Sequence, residues 1–442
     1  MKKAHCECQD GKITEAIYSG FCPANEKEFS DLERSNSLYT IKSYTLDNSN
    51  VEVVVITWGA TIVSIKYPDK YGEVVDVVLG FDNLEDYMNP LVNPLIGCVL
   101  GRCADQMNNP SIRIKGREYQ LALNQGIGGF GRQNWDSHID GTTLILTYVS
   151  PDGEDGYPGS VLTTLKFKLT SDNTLDIRMQ AITTNPTVIN LSYGPLFNLA
   201  GHDAGEDALK MHTISLNCDR FIFTQDDDGT PINKSRNIGG TLLDLRIPRL
   251  LGDEGNDILF HQNLAHNLCV IRNCDHSLTF VFRAYHEKTG RVLEVFSNQP
   301  GVQFDTCASF PTDNNLDDIT CQTLDAKAFD DLASYTSFIS DNAEECWRNE
   351  EDNHSFANTT FRSNKLPIKF IPGKNGAKYT KFCAFGVHPQ NYYNSAIVSR
   401  TMNFFFLRNS TVSIRLIIFI YVERFSLRYC TSRPSLPPQL GL

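Results

Sequence analysis

Thr164-Leu165-Lys166-Phe167-Lys168-Leu169 and, a short turn later, Leu175-Asp176-Ile177-Arg178-Met179 alternate apolar and polar side chains one by one. Successive side chains of a strand point to opposite faces, so this period of two describes strands with one buried face. The same reading extends outward to Val51-Glu52-Val53-Val54-Val55-Ile56, Thr61-Ile62-Val63-Ser64-Ile65, Leu278-Thr279-Phe280-Val281-Phe282 and Val292-Leu293-Glu294-Val295-Phe296. Turn clusters such as Pro68-Asp69-Lys70-Tyr71-Gly72, Pro151 to Gly156 and Glu287-Lys288-Thr289-Gly290 separate them. Many short strands with Gly, Pro and Asp punctuation point to an all-β architecture, a large antiparallel sandwich or barrel. Only short segments, such as Asn83 to Met88, read as helix, and Trp58, Phe167 and Phe280 are expected on the apolar faces.

The 442 residues carry a formal net charge of −12. That balance argues against a nucleic-acid surface, which needs a basic stripe. No apolar run follows Met1 to Asp10, and Leu416 to Val422 is too short to span a bilayer, so neither a signal peptide nor a membrane segment is expected. The 13 cysteines are scattered, with no short-spaced pairs of the kind that hold zinc. Reduced thiols, a cytoplasmic location and no metal or cofactor are expected. The triplets Asn233-Lys234-Ser235 and Asn409-Ser410-Thr411 are read as chance matches to glycosylation acceptors.

Two regions break the strand pattern. Residues 308–372 are polar and acidic and read as a surface insertion or a disordered loop. From Arg400 to Leu442 there are six arginines and one acidic residue, Glu423. The expected organisation is a lead-in at 1–37, a β-sandwich at 38–396 and a basic tail at 397–442 outside the fold.

The run Ser150-Pro151-Asp152-Gly153-Glu154-Asp155-Gly156-Tyr157-Pro158-Gly159 closely resembles the S-P-D-G-E-E-G-Y-P-G turn of the aldose 1-epimerase (galactose mutarotase) family. Further segments resemble that family in order: Trp58 to Ile62, Asp76 to Phe81, Gly101-Arg102-Cys103-Ala104, Phe197-Asn198-Leu199-Ala200-Gly201, Gln299 to Phe304, and finally Lys374-Asn375-Gly376 with Gln390-Asn391. The resemblance covers residues 38 to 396. It implies a galactose mutarotase-like β-sandwich with a hexose site in a cleft on one sheet, and α/β anomer exchange as the reaction.

Anomer exchange opens the pyranose ring, rotates about C1–C2 and closes it again. A base takes the C1 hydroxyl proton while an acid protonates the ring oxygen, each group contributing roughly 10²–10⁴-fold. The resemblance implies a Glu base and a His acid, with a second His, an Asp, an Arg, an Asn and a Gln on the hydroxyls. Asn190-Leu191-Ser192-Tyr193-Gly194-Pro195-Leu196-Phe197-Asn198-Leu199 aligns without a gap and puts Gly194 at the acid. His388-Pro389-Gln390-Asn391 puts His388 at the base. Ile127 replaces the second His, Ala265 the Asp, and Asp105-Gln106 the Asn-Arg pair. Gln303 alone of the seven is kept.

His388 is the candidate base, with a hydrogen-bonded structural histidine as its alternative. Gln303, His266, Asp105 and Gln106 are the candidate hydroxyl-binding residues, with structural roles for Gln303 and His266 as the alternatives; His202 and Asp203 read as a turn. Three functional readings follow: a hexose binder with weak or lost anomer exchange, an active epimerase using a rearranged pair such as His388 and His266, and a scaffold that uses the acidic insertion for partners. The preferred reading is the first, as a monomer or weak homo-oligomer whose partner is galactose or glucose.

Overall fold

The computed structural model describes residues 11–20, 40–90, 92–104, 111–121, 129–222, 235–241, 243–253, 267–272, 277–311, 370–391 and 409–420. The two alternating runs that decided the fold class are neighbouring antiparallel strands, β11 (Val161–Leu169) and β12 (Thr174–Thr183). Leu165 opposes Met179 and Phe167 opposes Ile177, all four buried, while Lys166 opposes Arg178 on the other face. Directly opposed apolar side chains on one face are the unit from which such a sheet gains stability.

These strands lie in a nine-stranded antiparallel sheet of order β18-β15-β20-β21-β26-β12-β11-β10-β9. Its other members are β9 (Asp136–Asp140), β10 (Thr143–Ser150), β15 (His212–Leu216), β18 (Arg249–Leu250), β20 (Thr279–His286), β21 (Arg291–Ser297) and β26 (Asn409–Ile420). A six-stranded sheet packs against it, in the order β14-β25-β22-β19-β16-β17. It comprises β14 (Leu196–Phe197), β16 (Cys218–Ile222), β17 (Ser235–Asn237), β19 (Asn267–Val270), β22 (Gly301–Asp305) and β25 (Phe385–Gln390). Phe282 of the larger sheet meets Phe304 and Phe385 of the smaller at ring-centroid distances of 5.7 and 5.4 Å. A third sheet, β1 (Lys12–Gly20) to β5 (Val74–Asp76), joins the same core through Tyr44, Val53 and Val55. Among the described residues the α-helices are α1 (Leu84–Met88) and α2 (Gly205–Leu209). The all-β antiparallel class is thus observed, with the helix near residue 84 where it was expected.

Trp58 and Phe167 are buried as expected, whereas Phe280 is only half-buried. A bulge between Phe280 and Phe282 shifts the phase of β20, so Val281 and Phe282 both enter the core. Part of the lead-in is a sheet strand: β1 pairs with β2 (Thr40–Asp47) from Lys12↔Asp47 to Gly20↔Thr40. Residues 312–369 of the acidic insertion lie outside the described residues.

The expectation that the basic tail stands outside the fold does not hold for β26. This strand fills the gap between β12 and β21, pairing with one from Thr174↔Ile417 to Ile182↔Asn409 and with the other from Arg291↔Ile420 to Ser297↔Ile414. Val412, Ile414 and Leu416 point into the core, and Arg415 lies outside on Asp176 at 2.7 Å. The physical reason is local alternation. Val412-Ser413-Ile414-Arg415-Leu416 has the period of a half-buried strand, which the arginine count and the following apolar block obscured.

Candidate functional site

Three strands of the six-stranded sheet place polar side chains in one row. Asn267 of β19 opposes Gln303 of β22, and Gln303 opposes His388 of β25. Directly opposed residues share a face, so the three side chains lie side by side. Their neighbours Leu268, Val302, Phe304 and Val387 turn to the opposite face and are buried in the core. The polar face is the floor of the candidate site. Alternation within Gly301-Val302-Gln303-Phe304-Asp305 brings Asp305 to this face as well, opposite Gly386.

The floor is held in place by side chains from other motifs. Asn391 donates its backbone N–H to Asn190 Oδ1 at 2.9 Å and accepts from Asn267 Nδ2 at 2.9 Å. Ser192 Oγ donates to the Pro389 carbonyl at 2.9 Å. The carboxamide of Asn267 rests on Gly301, where a Cβ would come within 2.3 Å of Oδ1. Glycine is therefore required at 301 for this approach. Asn267 Oδ1 is buried without a hydrogen-bond partner.

Gly194 follows β13 (Ser192–Tyr193), tied by Gly194 N–H to Cys98 O at 3.1 Å and by Gly97 N–H to Gly194 O at 2.9 Å. A Cβ built there would lie 3.8 Å from His388 Cε1 and 3.7 Å from both Cys98 O and Leu100 Cδ1. The structure thus brings together the two positions where the sequence placed the acid and the base. Glycine supplies no side chain at the first. At the second, the His388 ring lies over Gly386, with Nε2 only 2.6 Å from where a Cβ on that residue would stand. Nε2 is buried without a hydrogen-bond partner. Burial lowers the His388 pKa below the usual histidine range, and the Asp305 carboxylate opposes that shift, so the ring is neutral near pH 7.

Other motif residues are structural. Arg102 is buried and donates to Ser150 Oγ at 2.9 Å from Nε, to Pro151 O at 2.8 Å and to Pro158 O at 3.3 Å. Its guanidinium also lies 5.5 Å from the Tyr157 ring centroid. The Ser150–Gly159 turn is thus folded around Arg102, and Asn190 N–H bonds to the Arg102 carbonyl at 2.8 Å, linking turn to site. Lys374 is buried with Nζ on Asp76 Oδ2 at 2.6 Å, Val78 O at 2.7 Å and Val63 O at 2.9 Å. Burial lowers its pKa and Asp76 opposes that shift; the group is a core ion pair rather than a ligand contact. His202 and Asp203 lie in a turn, with His202 Nδ1 3.1 Å from the Tyr379 hydroxyl.

Asp105, Gln106, His266, Ile127 and Ala265 lie outside the described residues. Asp305 is the residue that sequence reasoning missed. Its signal was the alternation after Gln303, but Asp305 becomes relevant only once the β22–β25 register is known.

A family model described as aldose 1-epimerase matches residues 42–346. The galactose mutarotase of Bos taurus is 34% identical over 276 residues, covering 60% of this chain and 78% of that protein. The galactose mutarotase of Homo sapiens is 33% identical over 275 residues, again covering 60% and 78%. Among solved structures, a GalM/aldose epimerase homologue from C. elegans superposes with a TM-score of 0.62 at 18% identity, covering 84% of this chain and 96% of the other. Galactose 1-epimerase from Lactobacillus acidophilus gives 0.60 at 16% identity, covering 93% and 99%. These two structures share the fold with this chain.

Proposed function

The chain belongs to the aldose 1-epimerase family, and on that premise we propose that it binds a hexose on the polar face of β19, β22 and β25, with anomer exchange weak or lost. The observation that carries this reading is Gly194, which stands against the His388 ring at the position of the acid and has no proton to give. Loss of one positioned proton-transfer group costs roughly 10²–10⁴-fold. A neutral His388 can still accept a proton or a hydroxyl hydrogen bond, and Gln303 and Asn267 offer further polar contacts. Asp105, Gln106 and His266 are proposed as hydroxyl contacts on the resemblance alone. The second reading, an active epimerase based on His388, is favoured by the buried Nε2 that lacks a partner.

The ligand we propose is galactose or glucose, with no cofactor. The six described cysteines are buried and form no disulfide among themselves, which supports a reducing location such as the cytoplasm. Two measurements test the reading. Calorimetric titration with galactose should give heat at millimolar sugar; silence there would favour a scaffold without a sugar ligand. Polarimetry on freshly dissolved α-galactose should stay near the buffer blank, and a fast rate abolished in His388→Ala would establish the second reading instead.

A further inference from the structure

His388 shares its face with carboxylate chemistry that the family resemblance does not supply. Asp305 stands two residues beyond Gln303 on β22 and directly opposite Gly386, over which the His388 ring lies. The absence of a side chain at 386 makes this possible. A Cβ there would stand 2.6 Å from His388 Nε2 and 2.8 Å from Leu196 Cδ2, so Leu196 of β14 closes one side of the niche. The side chain directly opposite Gly386 across the strand pair is Asp305, whose Cβ lies about 4.5–5.5 Å from that position in an antiparallel ladder. One oxygen of Asp305 is already held, since Oδ1 accepts the Cys307 N–H at 2.8 Å. Nε2 is a buried polar atom without a partner, and buried polar atoms almost always have one, directly or through water.

We propose that Asp305 is a positioning residue for His388: its carboxylate, through one bridging water, accepts the Nε2 proton, fixing the imidazole over Gly386 and leaving Nδ1 as the acceptor for a ligand hydroxyl. This rests on the reading of the cleft as a hexose site. A carboxylate that holds one ring nitrogen selects the tautomer and raises the basicity of the other. Among the described residues, few groups face the ring. β22 contributes Asp305, and β14 contributes the apolar Leu196. At Gly194 the atoms nearest a Cβ, besides the ring itself, are Cys98 O and Leu100 Cδ1, neither of them titratable. Burial depresses the imidazole and Asp305 is the charge that opposes it.

The test is nitrogen-detected NMR of His388 across pH 5 to 8 in the intact protein and in Asp305→Asn, with galactose calorimetry on both. The intact protein should show one tautomer, protonated at Nε2. In Asp305→Asn the His388 midpoint should fall by about half a pH unit or more, with both tautomers populated. An unchanged midpoint and an unchanged tautomer in Asp305→Asn would overturn the proposal. If that variant does not fold, Gly386→Ala serves in its place. It should push the ring from its niche and mix the tautomers, and an unaltered His388 spectrum would count against the idea. Absence of galactose heat together with the expected spectra would refute the sugar reading and leave the dyad standing. Heat together with an unaltered spectrum would do the reverse.

Discussion

His212 and His286 face each other across β15 and β20, ring centroids 4.8 Å apart, and both are buried. His212 Nε2 accepts the Leu199 N–H at 3.0 Å, while Nδ1 lies 3.0 Å from the carbonyls of Ala208 and Leu209. That network assigns the proton to Nδ1, so protonating Nε2 would break the bond to Leu199. Burial first, then the neighbouring His286, depress His212 to about 3. Burial and the cations Arg291, Lys288 and Lys70 depress His286 to about 4. Both folded values lie below the unfolded value near ~6.5. The unfolded chain therefore binds more protons, and stability falls as pH drops from about 6.5 towards the folded values. Urea midpoints measured between pH 7 and pH 5 should decline, and His286→Gln should flatten that decline; an equal slope in the variant would contradict the assignment. None of this pairing is visible in the sequence, because residues 212 and 286 meet only through strand register. Gly194 and His388, by contrast, could be singled out from sequence, Gly194 in a segment that aligns without a gap and His388 beside the Gln390-Asn391 pair.

β26 shows what a strand contributes when it completes a sheet. Without it, β12 and β21 would each present a row of unpaired backbone groups, the situation that leads to edge-to-edge aggregation. Val412, Ile414 and Leu416 would also leave the core, each removal costing roughly 1.5–3 kcal/mol of burial. A chain ending at residue 408 should therefore be insoluble or unfolded at 37 °C, measured as the soluble fraction and the far-ultraviolet dichroism. A truncated chain that is soluble and unfolds at the same temperature as the full chain would show that β26 is dispensable. The strands around residues 164–179 were readable because alternation and turn chemistry are local. β26 was harder, since its five alternating residues sit beside an unbroken apolar block, and which gap it fills is a matter of sheet order. Arg102 was likewise recognised as part of a motif, but its role as the post around which the Ser150–Gly159 turn folds needed coordinates.

The molecule as a whole separates scaffold from chemistry. The chain matches the aldose 1-epimerase family over residues 42–346, and Asn190, Asn267 and Asn391 brace the polar face of β19, β22 and β25 through hydrogen bonds. Gly194, which the proposed reading places at the acid position, offers no side chain, although a Cβ there would make only ordinary contacts at 3.7 and 3.8 Å. On the proposed reading the site is weakened by what stands at position 194, not by collapse of the surrounding packing. The most direct test is polarimetry of α-galactose with the wild-type protein and with the double variant Gly194→His, His388→Glu, checked for equal unfolding temperatures. The wild type should stay within a few-fold of the blank. The double variant should be faster by at least about 10²-fold, because it supplies both proton-transfer groups. A wild-type rate already well above the blank, with no gain in the double variant, would contradict the account.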